Sequence, residues 1–188
     1  MLGHEVNLIE RRLNRDKHPS KMFFSYANTV ATIDFAKQFK GHGWVGIRYQ
    51  IEPDEDYNEI IIHIRFKETD ARLQQETLGT LGVNLIYGAY YKYNDPKKLL
   101  RYLYDHLDKD QLEIDTINFS GPRFADVDNR LMSLQLVKNG MTDAVMFNPE
   151  GKNILPASIL YKKNILALRG SFRPVTKVNM DMYEKSLK

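Results

Sequence analysis

A chain of 188 residues, 43% hydrophobic and 27% charged, is long enough to bury a core and shows no disordered bias. Its net charge of +3, from 27 basic and 24 acidic residues, falls short of the concentrated positive charge of a nucleic-acid binder. Zero cysteines exclude a disulfide scaffold, a thiolate metal site and a cysteine nucleophile.

Glu5, Glu10, Arg11 and Arg12 interrupt the first apolar positions, which argues against a signal peptide, and no apolar run has the length of a membrane helix. The expectation is a cytoplasmic protein with neither a membrane nor a nucleic-acid partner. Residues 4–14 predict a short amphipathic helix with Val6, Leu8, Ile9 and Leu13 inward. Its basic run, Arg11, Arg12 and Arg15 continuing to Lys17 and Lys21, reads as a solvated face. Met22–Tyr26 reads as a strand or as the lead-in to a helix over Thr29–Lys40, which Gly41 is placed to end. Trp44–Ile51 and Glu59–Phe66 alternate apolar and polar residues around the polar turn Pro53-Asp54-Glu55-Asp56, which predicts an antiparallel hairpin. Arg48, His63 and Arg65 fall on one face of it, read as a half-solvated or helix-covered surface.

From Asp70 to about Tyr91 the pattern is helical, although Gly79, Gly82 and Gly88 each weaken it by roughly 1 kcal/mol relative to alanine. Glycines at that spacing point to close packing. The tyrosines at 87, 90, 91, 93, 102 and 104 could stack on bases, but without a matching basic patch they read as a core edge or an oligomer interface. Asp95-Pro96 supplies an N-cap and a first-turn proline for a helix whose inner stripe is Leu99, Leu100, Leu103 and Leu107. Leu112–Phe119, Asp126–Asn139 and Ala144–Phe147 then read as strand, helix, strand, a βαβ unit with parallel strands. A short helix around Pro156–Tyr161 leads to the apolar run Ile165–Leu168, read as a buried strand, and a helix follows Pro174. The expected fold is therefore α/β, with a mixed sheet: an antiparallel hairpin at about 44–66, parallel βαβ units over about 112–170, and helices packed on it. One domain over residues 1–188 is expected.

Two strand-to-helix turns resemble one another: Asn118-Phe119-Ser120-Gly121-Pro122-Arg123-Phe124 and Leu168-Arg169-Gly170-Ser171-Phe172-Arg173-Pro174. If both strands run parallel, both turns lie at one sheet edge, the usual ligand edge of open α/β sheets. Gly121, Arg123, Arg169, Gly170, Ser171 and Arg173 then converge on a phosphate or carboxylate through guanidinium and backbone N–H groups. Turns of this kind also use the same residue types for purely structural ends. The histidines at 4, 18, 42, 63 and 106 show no metal-ligand spacing, so no metal site is expected from them. Asp126 and Asp128 could bind magnesium alongside substrate phosphates, but both also suit a helix N-cap.

Gly170, Phe172, Pro174 and Thr176 resemble, in order and spacing, the Gly-x-Phe-x-Pro…Thr signature of the nucleotidyltransferase superfamily. Val178 stands where that family has glycine, and Asn179 where it has a histidine that contacts ATP phosphates. More broadly, Glu10–Leu13, Lys21–Thr29, Gly43–Arg48 and Gly121–Phe124 through Met141–Ala144 are similar to a longer family of uncharacterised bacterial proteins. Its members often bear the name nicotinate- or nicotinamide-nucleotide adenylyltransferase, and sometimes TonB-dependent receptor, which the absence of a barrel pattern contradicts. The resemblance implies adenylyl transfer to nicotinate or nicotinamide mononucleotide, with ATP and magnesium as cofactors. It casts Thr176 and Asn179 as catalytic contacts to phosphate. It also implies that residues 164–188 open a nucleotidyltransferase-like fold that continues beyond this chain, leaving the chain inactive by itself. The alternatives are a non-catalytic homo-oligomeric or partner-binding module, and an enzyme acting on another small phosphorylated ligand.

Overall fold

Four strands pair in chain order into one antiparallel sheet: β1 (Phe24–Ala31), β2 (His42–Tyr49), β3 (Asn58–Phe66) and β4 (Leu112–Ser120). The structure, a computed structural model, describes residues 1–37, 40–170 and 172–187. It divides into two compact units, Met1–Leu155 and Pro156–Lys188. The sheet belongs to the first.

Strand alternation sends Val45, Ile47 and Tyr49 of β2, Ile60, Ile62, Ile64 and Phe66 of β3, and Leu112, Ile114, Ile117 and Phe119 of β4 to one face. That face packs against α2 (Ala71–Tyr91), α3 (Pro96–Tyr102) and α4 (Asn129–Lys138), whose Leu81, Leu85, Leu99, Leu100 and Leu136 are fully buried. The glycines of α2 serve contact as expected at two places: Gly82 lies against the Tyr26 hydroxyl and Gly88 against Leu99. Asp70 and Asp95 cap α2 and α3 by accepting backbone N–H bonds from Leu73 and Lys98, each at 3.1 Å. Helix α1 (Leu2–Leu13) packs on the opposite side, against β1 and β2, with Leu2 and Val6 buried. Tyr57 donates to Glu10, which ties α1 to the start of β3.

Two buried glutamines hold the loops. Gln50 accepts from Phe23 N–H at 3.0 Å and donates to the Glu55 carbonyl at 2.7 Å. Gln74 accepts from Ile33 N–H at 2.7 Å and donates to the Glu68 carbonyl at 2.8 Å. Side chains thus satisfy backbone groups that the strands leave unpaired.

The expected parallel βαβ units are absent among the described residues. β4 pairs antiparallel with β3, and β5 (Met146–Phe147) pairs antiparallel with β6 (Asn153–Ile154) in a separate two-stranded sheet. The apolar pattern marks β4, α4 and β5 in the right order, but alternation reports extended backbone and not which strand it pairs with. Here β4 takes the free edge of β3, and the chain after α4 folds back on itself. Ile165–Leu168 forms no strand; Ile165 and Leu166 are exposed. The expected helix over Thr29–Lys40 is also absent: Thr29, Val30 and Ala31 belong to β1, residues 32–37 carry no helix, and 38 and 39 lie outside the described residues. The β-branched residues Thr29 and Val30 suit a pleated edge better than a helix. The second unit contains α5 (Pro156–Leu160) and α6 (Lys177–Ser186).

Gly121 follows β4 at φ +106° and ψ 173°, a conformation essentially confined to glycine, and a Cβ there would meet the Tyr57 carbonyl oxygen at 2.5 Å. Gly121→Ala is expected to lower stability by roughly 1–3 kcal/mol, read as a lower urea midpoint with an unchanged m-value.

Candidate functional site

The sheet face opposite the core is lined by Ser25, Ala27 and Thr29 of β1, His42, Trp44, Gly46 and Arg48 of β2, and Glu59, Ile61, His63 and Arg65 of β3. α1 covers only its β1–β2 end. Gly46 permits this, because a Cβ at that position would lie 2.9 Å from Leu2 Cδ1. Beside α1 a cavity of about 490 Å³ opens, floored by Ala27, Gly46 and Ile61, walled by Leu2 and Trp44, and rimmed by Thr29 and Glu59. Trp44 is 40% exposed there, a large apolar ring left in water. Arg48 stands beside the rim residues Gly3 and Glu59: its Nη1 is 3.6 Å from Glu59 Oε2, and its guanidinium lies 5.1 Å from the Tyr57 ring centroid.

Next to Trp44 the same face carries a cluster of titratable side chains. The ring of His63 meets the Trp44 ring edge-on, at 4.9 Å between centroids. His63 Nδ1 lies 2.8 Å from Asp115 Oδ1, and both side chains are at least 95% buried. His63 Nε2 lies 3.4 Å from Nδ1 of the exposed His42. Arg65 Nε forms an ion pair with Asp115 Oδ2 at 3.2 Å, its Nη2 donates to Glu113 Oε1 at 3.1 Å, and Thr142 donates to that same Glu113 oxygen at 2.6 Å. A buried carboxylate held by both a guanidinium and an imidazole is the paired arrangement that makes burial of charge tolerable. Asp115 reaches this face because the β3–β4 register shifts at His63/Ile64: His63 pairs with Thr116 and Ile64 with Ile114, which leaves Asp115 as the extra residue of a bulge. Among the described residues, no group of three or more histidines and carboxylates is placed to hold a metal ion.

The residues expected to bind phosphate lie elsewhere. Gly121 and Arg123 belong to the first unit; Arg169, Gly170, Arg173, Thr176 and Asn179 belong to the second. Ser171 lies outside the described residues. The common parallel edge on which the two turns were expected to meet does not form, since neither turn follows a parallel strand. Arg123 instead bridges the β2–β3 turn: Nε donates to Glu55 at 2.6 Å, Nη2 to Glu52 at 2.9 Å, and its backbone N–H to Asn58 at 2.8 Å. In α6, Thr176 and Asn179 form a reciprocal capping box, with Thr176 N–H donating to Asn179 Oδ1 at 2.8 Å. Arg169 and Arg173 are exposed. Asp128 caps α4 and pairs with Arg130, whose hydrogen bond holds the carboxyl down at about 2.

The sequence had aligned Arg48, His63 and Arg65 on one face but missed His42, Trp44 and Asp115. The hairpin register supplies the first two, since His42 pairs with Arg65 and Trp44 with His63. The signal for Asp115 is the spacing of Leu112, Ile114, Ile117 and Phe119, whose single three-residue step marks a bulge.

Burial raises the Glu55 carboxyl, but hydrogen bonds from Arg123 and from the N–H groups of Ile51 and Glu52 outweigh it and hold the group below its ordinary value. A depressed folded value stabilises the protein above the unfolded one and is lost as pH falls through the folded one. Glu55→Gln is therefore expected to lower the urea midpoint by its full amount above about pH 5, and by progressively less as acid protonates the wild-type carboxyl.

Among the described residues, no helix is long and apolar enough to cross a membrane. Comparison with protein-family models, curated proteins and solved structures returns no match, so the functional reading rests on the geometry of the chain itself.

Proposed function

We propose that the chain binds a small phosphorylated ligand with a planar heteroaromatic ring, of the nucleotide class, in the cavity between α1 and the open sheet face. The observation that carries this reading is the half-exposed Trp44 beside an apolar floor of Ala27, Gly46 and Ile61. Ligand sites are concave and mostly apolar, with a few placed polar groups, and this cavity has Thr29 and Glu59 on its rim. An aromatic ring would stack on Trp44, and Arg48 at the adjoining rim would take the phosphate. The reading keeps the nucleotide class implied by the resemblance to adenylyltransferases, and places it on the sheet rather than at the glycine turn of residues 169–176. Adenylyl transfer itself has less support, because the Thr176 and Asn179 side chains are engaged in capping α6.

Trp44 is the single tryptophan of the chain, so its fluorescence reports this cavity directly. Titration with AMP and with nicotinamide mononucleotide is expected to quench it saturably. Gly46→Val, which fills the floor, should abolish the change. Arg48→Met should weaken the nucleotides while leaving the corresponding nucleosides unaffected. No saturable change with either nucleotide counts against the reading.

A second reading has its own observation. Tyr87 stacks on Tyr91 and Tyr102 at 4.6 and 4.9 Å between centroids, with Lys92 over Tyr87 and Tyr102, and Tyr91 is 70% exposed. An exposed aromatic platform of this kind suits a homo-oligomeric contact. Light scattering should then give more than one copy per particle, and Tyr91→Glu should return it to a monomer; a monomeric wild type removes this reading.

A further inference from the structure

The geometry points to His42 as a general base, with His63 and Asp115 as the residues that position it. A chain of polar contacts runs outward from the carboxylate. Asp115 is ion-paired with Arg65 through Oδ2, so its Oδ1 accepts a hydrogen bond, and Nδ1 of His63 carries the proton shared across 2.8 Å. A neutral imidazole has one N–H, so Nε2 of His63 is then an acceptor. Nε2 faces Nδ1 of His42 at 3.4 Å, and His42 donates to it. The remaining nitrogen of His42, Nε2, has no hydrogen-bond partner among the described residues and keeps its lone pair available, on an exposed side chain at the end of the open face. The two buried groups thereby select the tautomer of the exposed one, as a carboxylate orients an imidazole in a hydrogen-bonded triad.

The chemistry that suits this arrangement is removal of a proton from a weakly acidic O–H or N–H. The proton passes to Nε2 of His42, and the bonding pair stays on the ligand oxygen or nitrogen as a negative charge. The imidazolium so formed donates more strongly to His63, while Asp115 stays ionised. The charged groups facing His42 are Arg65 from β3, its partner in the β2–β3 register, and Asp115 and Glu113 from β4 behind Arg65. Arg65 is committed to these two carboxylates, so the local charge carries no spare cation, and a substrate that is neutral until it loses its proton fits better than one already negative. The inference is independent of which ligand the Trp44 cavity holds.

The test uses the full chain, labelled with ¹⁵N, at pH 8. Two-bond ¹H–¹⁵N correlation of the histidine rings distinguishes the tautomers, and the histidines at 4, 18 and 106 serve as internal references. His63 and His42 are both expected as Nδ1–H forms, the reverse of the Nε2–H form that free imidazole favours. In His63→Phe, His42 is expected to revert to the Nε2–H form. Carbethoxylation by diethyl pyrocarbonate, mapped by mass spectrometry, should mark His42 and spare His63. Finding His42 as Nε2–H in the wild type, rapid averaging of its tautomers, a doubly protonated His63 at this pH, or an unlabelled His42 overturns the inference. The wild-type spectrum decides this even if His63→Phe does not fold, and a negative nucleotide titration leaves it untouched.

Discussion

The bulge opposite His63/Ile64 is the constraint on which both faces of the sheet depend. In strict alternation after Ile114, Asp115 would point away from the helices, Thr116 into the core and Ile117 out to solvent. The extra residue removes that conflict. Ile114, Ile117 and Phe119 all enter the core, while Asp115 and Thr116 both serve the other side. One register shift thus completes the packing under α4 and delivers a carboxylate to His63. Slipping β4 by one residue would bury Asp115 among isoleucines and expose Ile114 and Ile117, so the hydrophobic core enforces the geometry of the polar cluster.

Charge on this molecule is arranged in local neutral sets. Asp115 and Glu113 answer Arg65, Glu59 answers Arg48, and Glu52 and Glu55 answer Arg123. A guanidinium flanked by two carboxylates at hydrogen-bond distance must lose them before it can hold a phosphate, which is why Arg123 acts as a clamp between the β2–β3 turn and the segment after β4. Arg48 is different in kind. Its carboxylate partner is at 3.6 Å, its side chain is 37% exposed, and it adjoins the cavity rim. The proposed ligand site therefore uses the less committed cation on the open face rather than the arginines that sit in suggestive turns.

Small residues on the sheet create the space this site needs. Gly46 lets Leu2 close over the strands, and Ala27 beside it in the β1–β2 register keeps the floor shallow. Trp44 and His63 then form the boundary between an apolar cavity and a polar cluster. That adjacency, an aromatic wall with titratable groups beyond it, joins the proposed ligand site to the proposed base.

The sequence by itself determined the local elements. Alternation over Trp44–Ile51 and Glu59–Phe66 specified the hairpin, Asp95-Pro96 started α3, and the stripe of Leu99, Leu100 and Leu103 chose its buried side. These features are legible because they depend on spacing within a few residues. Pairing is not, since an apolar strand satisfies its backbone equally well beside any edge of matching register. The chain therefore read as a mixed sheet until the tertiary structure set β4 antiparallel on β3 and left Ile165–Leu168 outside any sheet. The same holds for the site: Arg48, His63 and Arg65 could be aligned by counting along a hairpin, whereas the meeting of His63 with Asp115 spans 52 residues. Only the folded sheet, with its bulge, brings that distance to 2.8 Å.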